Sequence, residues 1–320
     1  MSSLGRVRES IPLVDRYWKR FDLDTHERRK NILAVVFLLP AILFLLIFGL
    51  FPALYTMYLS VTDLTIFAQT GSFVGLENYA GLYKESLFWR SIFTGVVFAA
   101  GSTVFQMVVG LGLALVLTKS FRGSALARTF AIFPYLVPTI AVALMWKWML
   151  SPIYGVVNKQ AVALGLLEQP IAFFNDATFA MWSLIFANSW KFAAFAFIIF
   201  IARLQAIDDE LYEQARVMGA GTWQQFRDIT LPNLRSAIML VIFIRTIWMF
   251  NKFDVVQLLT GGGPLEATTT LPVFIYRLSF NQYDLAMGAA TAVNLFLGLI
   301  VLALIYFKVF QPSQEIETKH

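Results

Sequence analysis

The chain has 320 residues, 58% of them hydrophobic and only 14% charged, with a formal net charge of +5, two histidines and no cysteine. A soluble domain carries roughly a quarter charged residues, so this composition marks a membrane protein. Disulfides and thiolate metal sites are excluded, and His26 and His320 lie in polar tails, so neither redox nor zinc chemistry is expected and no residue is assigned to a metal.

In chain order, a polar tail over 1–31 precedes an all-α membrane domain over 32–310, and a second tail follows over 311–320. Apolar runs long enough to cross a hydrocarbon core of about 30 Å fall at 32–58, 91–118, 129–150, 179–202, 237–259 and 285–309, giving six transmembrane helices. The first run is longer than the apolar region of a signal peptide and follows a long polar tail, so it is expected to remain in the mature protein. Pro40, Pro52, Pro134 and Pro138 are read as kinks within spans.

Lysine and arginine set the orientation, because cytoplasmic segments retain them. The N-terminal tail holds Arg6, Arg8, Arg16, Lys19, Arg20, Arg28, Arg29 and Lys30. The same side receives Lys119, Arg122, Arg128, Arg203, Arg216, Arg227, Arg235, Lys308 and Lys319, against Lys84, Arg90, Lys159 and Arg277 opposite. Both termini are therefore expected in the cytoplasm, and the sidedness explains the basic balance without a nucleic-acid partner. Segments 60–90, 151–178 and 260–284 fall outside.

Catalytic motifs are missing. The glycine runs Gly219–Gly221 and Gly261–Gly263 lack the lysine of a phosphate loop, and neither a nucleophile elbow nor a metalloprotease pattern occurs. No catalytic residue is assigned, and the chain is not expected to be an enzyme.

The most polar long stretch of the second half lies within the loop 204–235. Asp208 or Asp209 can cap a first helix whose apolar face is Leu211, Ala215 and Met218, and Gly219–Gly221 can supply the positive φ that ends it. Thr222 with Gln225 reads as a capping box for a second helix bearing Trp223, Phe226 and Ile229, which Pro232 should prevent from continuing. An amphipathic hairpin on the bilayer would carry mostly lysine and arginine on its polar face, whereas this one presents Asp208, Asp209, Glu210 and Glu213. A protein partner suits it better.

Glu213, Gln214, Ala215 and Gly219, followed by Ile229, Thr230, Leu231 and Pro232, resemble the cytoplasmic EAA loop of binding-protein-dependent ABC importer permeases. SFVGLENYAGL at Ser72–Leu82 and FDVVQLLTGGGP at Phe253–Pro264 resemble the carbohydrate, maltose-type subfamily. Gln214 and Met218 depart from the family's usual Ala and Asp. The resemblance implies a type I ABC importer permease in a bacterial inner membrane. It implies that Glu213, Ala215, Gly219, Ile229, Leu231 and Pro232 couple the loop to a cytoplasmic ABC ATPase dimer. The further partners implied are a second permease subunit in a heterodimer, an extracytoplasmic solute-binding protein and membrane lipid. No cofactor is expected on this chain, since ATP and magnesium would belong to the ATPase.

Polar groups inside spans are expensive and so point to a translocation path. At 100° per residue, Asn188, Lys191, Phe192 and Phe195 share one helical face, and Arg245, Trp248, Met249 and Lys252 share another, from which Asp254 falls away. Both faces flank the coupling loop in sequence, where maltose-type permeases place sugar-contacting side chains, and these eight residues are the candidate substrate-binding set. Rings beside hydrogen-bond donors suit a sugar, and three cations suit an anionic sugar derivative. The opposing reading is structural: Lys191 and Lys252 snorkel, or Lys252 pairs with Asp254. The competing functional classes are an ion-coupled secondary sugar transporter and a membrane scaffold.

Overall fold

In a computed structural model the described residues are 35–68, 70–119 and 121–309, with Lys30 and Leu33; the tails, including His26 and His320, lie outside them. The described chain is almost wholly helical. Its strand content is two isolated bridges, Thr62 with Phe73 and Thr65 with Asp284.

The chain divides into two units, through Tyr58 and from Leu59 onward. Helix α1, Val35–Leu59, makes up the first. It contains Pro52, yet the helix does not stop there. A wide π-turn over Leu46–Leu50 comes just before, with Phe51 N–H donating to Leu46 O. The wide turn lets the ladder absorb the donor that proline lacks.

In the second unit a short helix α2, Glu77–Leu82, leads to α3, Ser86–Leu117. Next come α4, Ser124–Leu136, and α5, Thr139–Met149, bent by 96° to one another. A short α6, Val156–Ala163, precedes the long α7, Ala180–Gln205. Helix α8, Asp209–Val217, is followed by α9, Thr222–Phe250, and then by short α10, Asp254–Leu259, and α11, Leu271–Tyr276. Helix α12, Leu285–Val309, ends the described chain. Among the described residues five helices are long and apolar enough to cross a membrane, and the bent pair α4–α5 is the sixth crossing where the two halves are taken together.

Two expectations need correction. The third span is broken because Val137 precedes Pro138 and takes the extended conformation, φ −70° and ψ 132°. The fifth span does not begin after Pro232. Helix α9 runs unbroken from Thr222 through that proline, which again follows a π-turn, Phe226–Thr230, with Leu231 N–H donating to Phe226 O. It also ends at Phe250 rather than near 259.

The core is built on α3 against α7. Small buried residues line the contact, Ser102, Gly110 and Ala114 on one helix and Ala193, Ala194 and Ala196 on the other. Such residues let backbones approach in lipid, where packing must replace the hydrophobic drive. At Gly110 an added Cβ would stand 2.7 Å from Ala196 Cβ and 2.8 Å from Phe197 N. One apolar cluster, with Leu117, Phe200, Leu204 and Leu234, gathers near the polar loop, and another, with Phe98, Trp146, Leu184 and Met249, gathers farther along.

Buried amides order the other end. Asn158 Nδ2 donates to the carbonyls of Leu150, Ser151 and Ile171 at 3.0–3.1 Å, and its Oδ1 accepts from Ile171 N–H. Asn78 Nδ2 donates to Ser60 O and Thr62 O. Ile66 N–H donates to Tyr283 O and Ala286 N–H to Leu64 O, so segments 60–90 and 260–284 share one surface.

Gly110→Ala is expected to lower stability by about 1–3 kcal/mol, since backbone rather than a flexible side chain must give way. Gly112→Ala, with nothing within 4 Å of the added carbon, serves as the control. Melting of the purified protein in detergent measures both, and equal melting would contradict the close contact.

Candidate functional site

The polar loop forms a knob. Asp208 caps α8 by accepting from Glu210 N–H at 3.1 Å, and Gly219, at φ +83°, turns the chain after the helix. A Cβ at Gly219 would meet nothing within 4 Å, so backbone conformation and not space calls for glycine there. The inward side of α8 is Tyr212 and Ala215 rather than the expected Leu211, Ala215 and Met218; Leu211 is 42% and Met218 80% exposed. Gln225 makes no capping box with Thr222, because Gly221 is the N-cap and Gln225 Nε2 donates to Ala220 O at 2.8 Å.

Glu213 stands exposed, and so do Leu231 and Pro232. Ile229 packs against the cluster beneath the knob, and Tyr212 O–H pairs with Thr230 Oγ1 at 3.0 Å, tying α8 to the root of α9. Val217, Met218 and Trp223 are 89, 80 and 73% exposed. An apolar tip rimmed by charge is the surface of an interaction site.

From Leu231 to Arg245 the same helix rises about 21 Å. There an open cleft of about 440 Å³ is lined by Phe192, Arg245, Trp248, Met249, Asn251, Lys252, Phe253 and Asp254. Arg245 is wholly buried, and Phe192, Phe195 and Trp248 surround its Cζ with ring centroids at 5.0, 5.4 and 5.5 Å. Its Nε donates to Gln106 Oε1 at 2.6 Å, whereas its Nη1 has no hydrogen-bond partner among the described residues. Phe195 and Trp248 contact each other at 5.1 Å. Rings beside a buried cation can hold the apolar face of a sugar and hydrogen-bond its oxygens.

Two candidate residues differ from the sequence reading in position. Lys252 lies past the end of α9, in a turn, where it pairs with Asp254 at 2.9 Å as the structural reading anticipated. Helix α9 ends at Phe250, and a separate short helix, α10, starts at Asp254. Lys191 reaches the break between α4 and α5, donating to Val137 O at 2.7 Å and Thr139 Oγ1 at 2.9 Å. It supplies a donor to a carbonyl that the break frees. Asn188 is buried behind the cleft, donating to Ser102 Oγ at 3.3 Å beside Met249 Sδ at 3.1 Å.

Gln106, Asn251, Phe253 and Asp254 are site residues outside the candidate substrate set, and Asp254, expected to fall away from the helical face, lines the cleft because the helix has ended before it. Gln106 carried a signal, a long polar amide within an apolar span one turn from Ser102 and Thr103.

A helical chain with five or six candidate crossings among the described residues, a helix-turn-helix knob and a polar cleft at the far end of α9 has the architecture of a type I ABC importer permease. A crystal structure of a bacterial ABC transporter involved in the import of the acidic polysaccharide alginate superposes with a TM-score of 0.78 at 25% identity, covering 94% of this chain and all of that one. Residues 106–315 match the family of binding-protein-dependent transport system inner membrane components, and the chain belongs to that family. The trehalose/maltose transport system permease protein MalF of Thermococcus litoralis is 32% identical over 284 residues, covering 88% of this chain and 94% of that protein. The sulfoquinovosyl glycerol transport system permease protein SmoG of Agrobacterium fabrum is 31% identical over 297 residues, covering 92% and 94%. The chain is thus a multi-pass inner-membrane subunit of an ABC transporter, not an enzyme and not an ion-coupled carrier.

Lys191→Met is expected to cost about 1.5–3 kcal/mol by leaving the Val137 carbonyl without its charged donor. Folded yield and melting temperature should fall together, with partial recovery in Lys191→Arg. A Lys191→Met protein that melts like wild type would refute this bracing role.

Proposed function

We propose that this subunit lines half of the translocation path of an ATP-driven sugar importer, and that the cleft around Phe192, Phe195, Arg245, Trp248 and Lys252 is its sugar-contacting surface. The observation that carries the reading is the placement of a ring, Trp248, and a buried cation, Arg245, on the same unbroken helix that ends in the exposed knob. The trehalose/maltose relative and the alginate transporter both carry saccharides by name, which favours a sugar as cargo.

The knob is the coupling element toward a separate cytoplasmic ATPase dimer, which would hold ATP and magnesium, so this chain needs no cofactor of its own. Glu213 offers a carboxylate to a basic residue of the ATPase, and Val217, Met218 and Trp223 offer the apolar tip. With the knob inside, both termini are cytoplasmic. The joined outer segments 60–90 and 260–284, with 151–178, face the solute-binding protein, in keeping with a neighbouring structure in complex with a periplasmic protein bound to an alginate pentasaccharide. A second, different permease chain completes the path.

Two variants separate these roles. In reconstituted vesicles Glu213→Ala, or Gly219→Val at a positive φ that a β-branched residue resists, should cut binding-protein-stimulated ATP hydrolysis on the order of tenfold while the subunits still co-purify. Trp248→Ala should instead reduce sugar uptake and leave stimulated hydrolysis in place. Unchanged stimulation in both knob variants would refute the coupling role, and unchanged uptake in Trp248→Ala would refute the path.

A further inference from the structure

Three cations converge on one aromatic ring. Lys252 Nζ, Arg245 Cζ and Lys191 Nζ lie 4.4, 5.0 and 5.3 Å from the centroid of Phe192. A single carboxylate answers them: Asp254 pairs with Lys252, and among the described residues no acid pairs with Arg245 or Lys191. Lys191 directs its ammonium at the helix break. Arg245 has only neutral partners, Gln106 at Nε and Met249 Sδ at Nη2, and a buried Nη1 with none among the described residues. A buried guanidinium with an unmet donor is costly in a membrane span, so the cluster is short of negative charge.

The one ion pair of this cluster among the described residues is of a loose kind. Lys252 and Asp254 are two residues apart across the end of α9, and their side chains are 17% and 43% exposed. Part-wet local pairs of this sort are weak and exchange readily. Both partners line the same cleft as Arg245.

We propose that Asp254 is a resident counter-ion: it neutralises Lys252 while the cleft is empty and is displaced when the acidic group of an incoming sugar inserts between Lys252 Nζ and Arg245 Nη1. The group can be a carboxylate, a sulfonate or a phosphate ester, since each offers anionic oxygens to both donors. A neutral sugar leaves the internal pair intact and gains nothing from it, so the exchange is a specificity filter as well as a contact. The inference rests on the reading of the cleft as the sugar path and adds to it the charge of the cargo and the stand-in that the chain carries for that charge.

The test uses the complete importer in nanodiscs, titrated calorimetrically with sodium digalacturonate and with the same disaccharide after reduction of its carboxyl groups to alcohols. The wild type should bind the acid about tenfold more tightly than the reduced sugar. Asp254→Asn, which removes the competing carboxylate, should tighten the acid a further roughly three- to tenfold relative to the reduced sugar. Asp254→Glu, which keeps the competitor, should not tighten it, and Lys252→Met should erase the preference for the acid. Equal binding of the two sugars by wild type, or weaker acid binding in Asp254→Asn, overturns the exchange while leaving the cleft a sugar path. Failure of both sugars to bind overturns the exchange too, and if Trp248→Ala also imports sugar normally the path reading falls with it.

Discussion

Inside hydrocarbon every backbone N–H and C=O must find a partner within the protein, and this requirement shapes the chain more than any single contact. It accounts for the π-turns that precede Pro52 and Pro232, where a wide turn takes up the donor that proline withholds. It accounts for the bent third span, which is tolerated because Lys191 from α7 donates to the carbonyl exposed at Val137. The same device closes other ends. Arg128 Nε donates to Leu117 O and its Nη2 to Thr118 O at the end of α3, while Arg203 Nε braces the interior of α9 at Asn233 O beneath the knob. Several of the few cations in this apolar chain therefore serve as caps for carbonyls.

Arg245 is different in kind. Among the described residues no backbone carbonyl accepts from it; its surroundings are a side-chain amide, a thioether and three rings. The rings give a cation electrostatic compensation without a formal negative charge. An arginine settled this way keeps its positive potential directed at the cleft, whereas Arg277, bonded to Glu266 at 2.9 Å in the outer segment, is neutralised locally. The difference separates a residue that holds the fold from one that can meet a ligand.

The knob was legible in the sequence because its signals are local: Asp208 before the helix, Gly219 after it, and charge amid apolar runs. The site was half legible. Helical periodicity groups Phe192 with Phe195 and Arg245 with Trp248, each pair on its own helix; that the two faces meet, with the rings around Arg245, is visible only in the structure. Lys252 lines the same cleft as Arg245 and Trp248, but from beyond the helix, since a period presumes that the helix continues and this one ends at Phe250. Pro232 misled because a π-turn leaves no mark in residue types, so a helix that passes the proline looks the same in sequence as one that stops. Pro138 was counted as a mild kink because nothing local distinguishes a 20° bend from a near right angle; the difference is made by Lys191, more than fifty residues away. Gln106 went unread because its partner, Arg245, is 139 residues distant.

The continuity of α9 from the knob to the cleft carries a mechanical consequence. Trp223 and Trp248 ride on one rod about 38 Å apart, and a rod cannot absorb a tilt applied at one end. Pivoting by about 5° near its middle would shift each end by roughly 1.5 Å in opposite senses. That stroke is comparable to the slack in a hydrogen bond, large enough to open or close the spacing between Arg245 and its neighbours on α7. Message and movement would then be the same event, with no relay of side chains required between the two ends. The π-turn beside Pro232, at the rim of the knob, is the one place where the rod could yield.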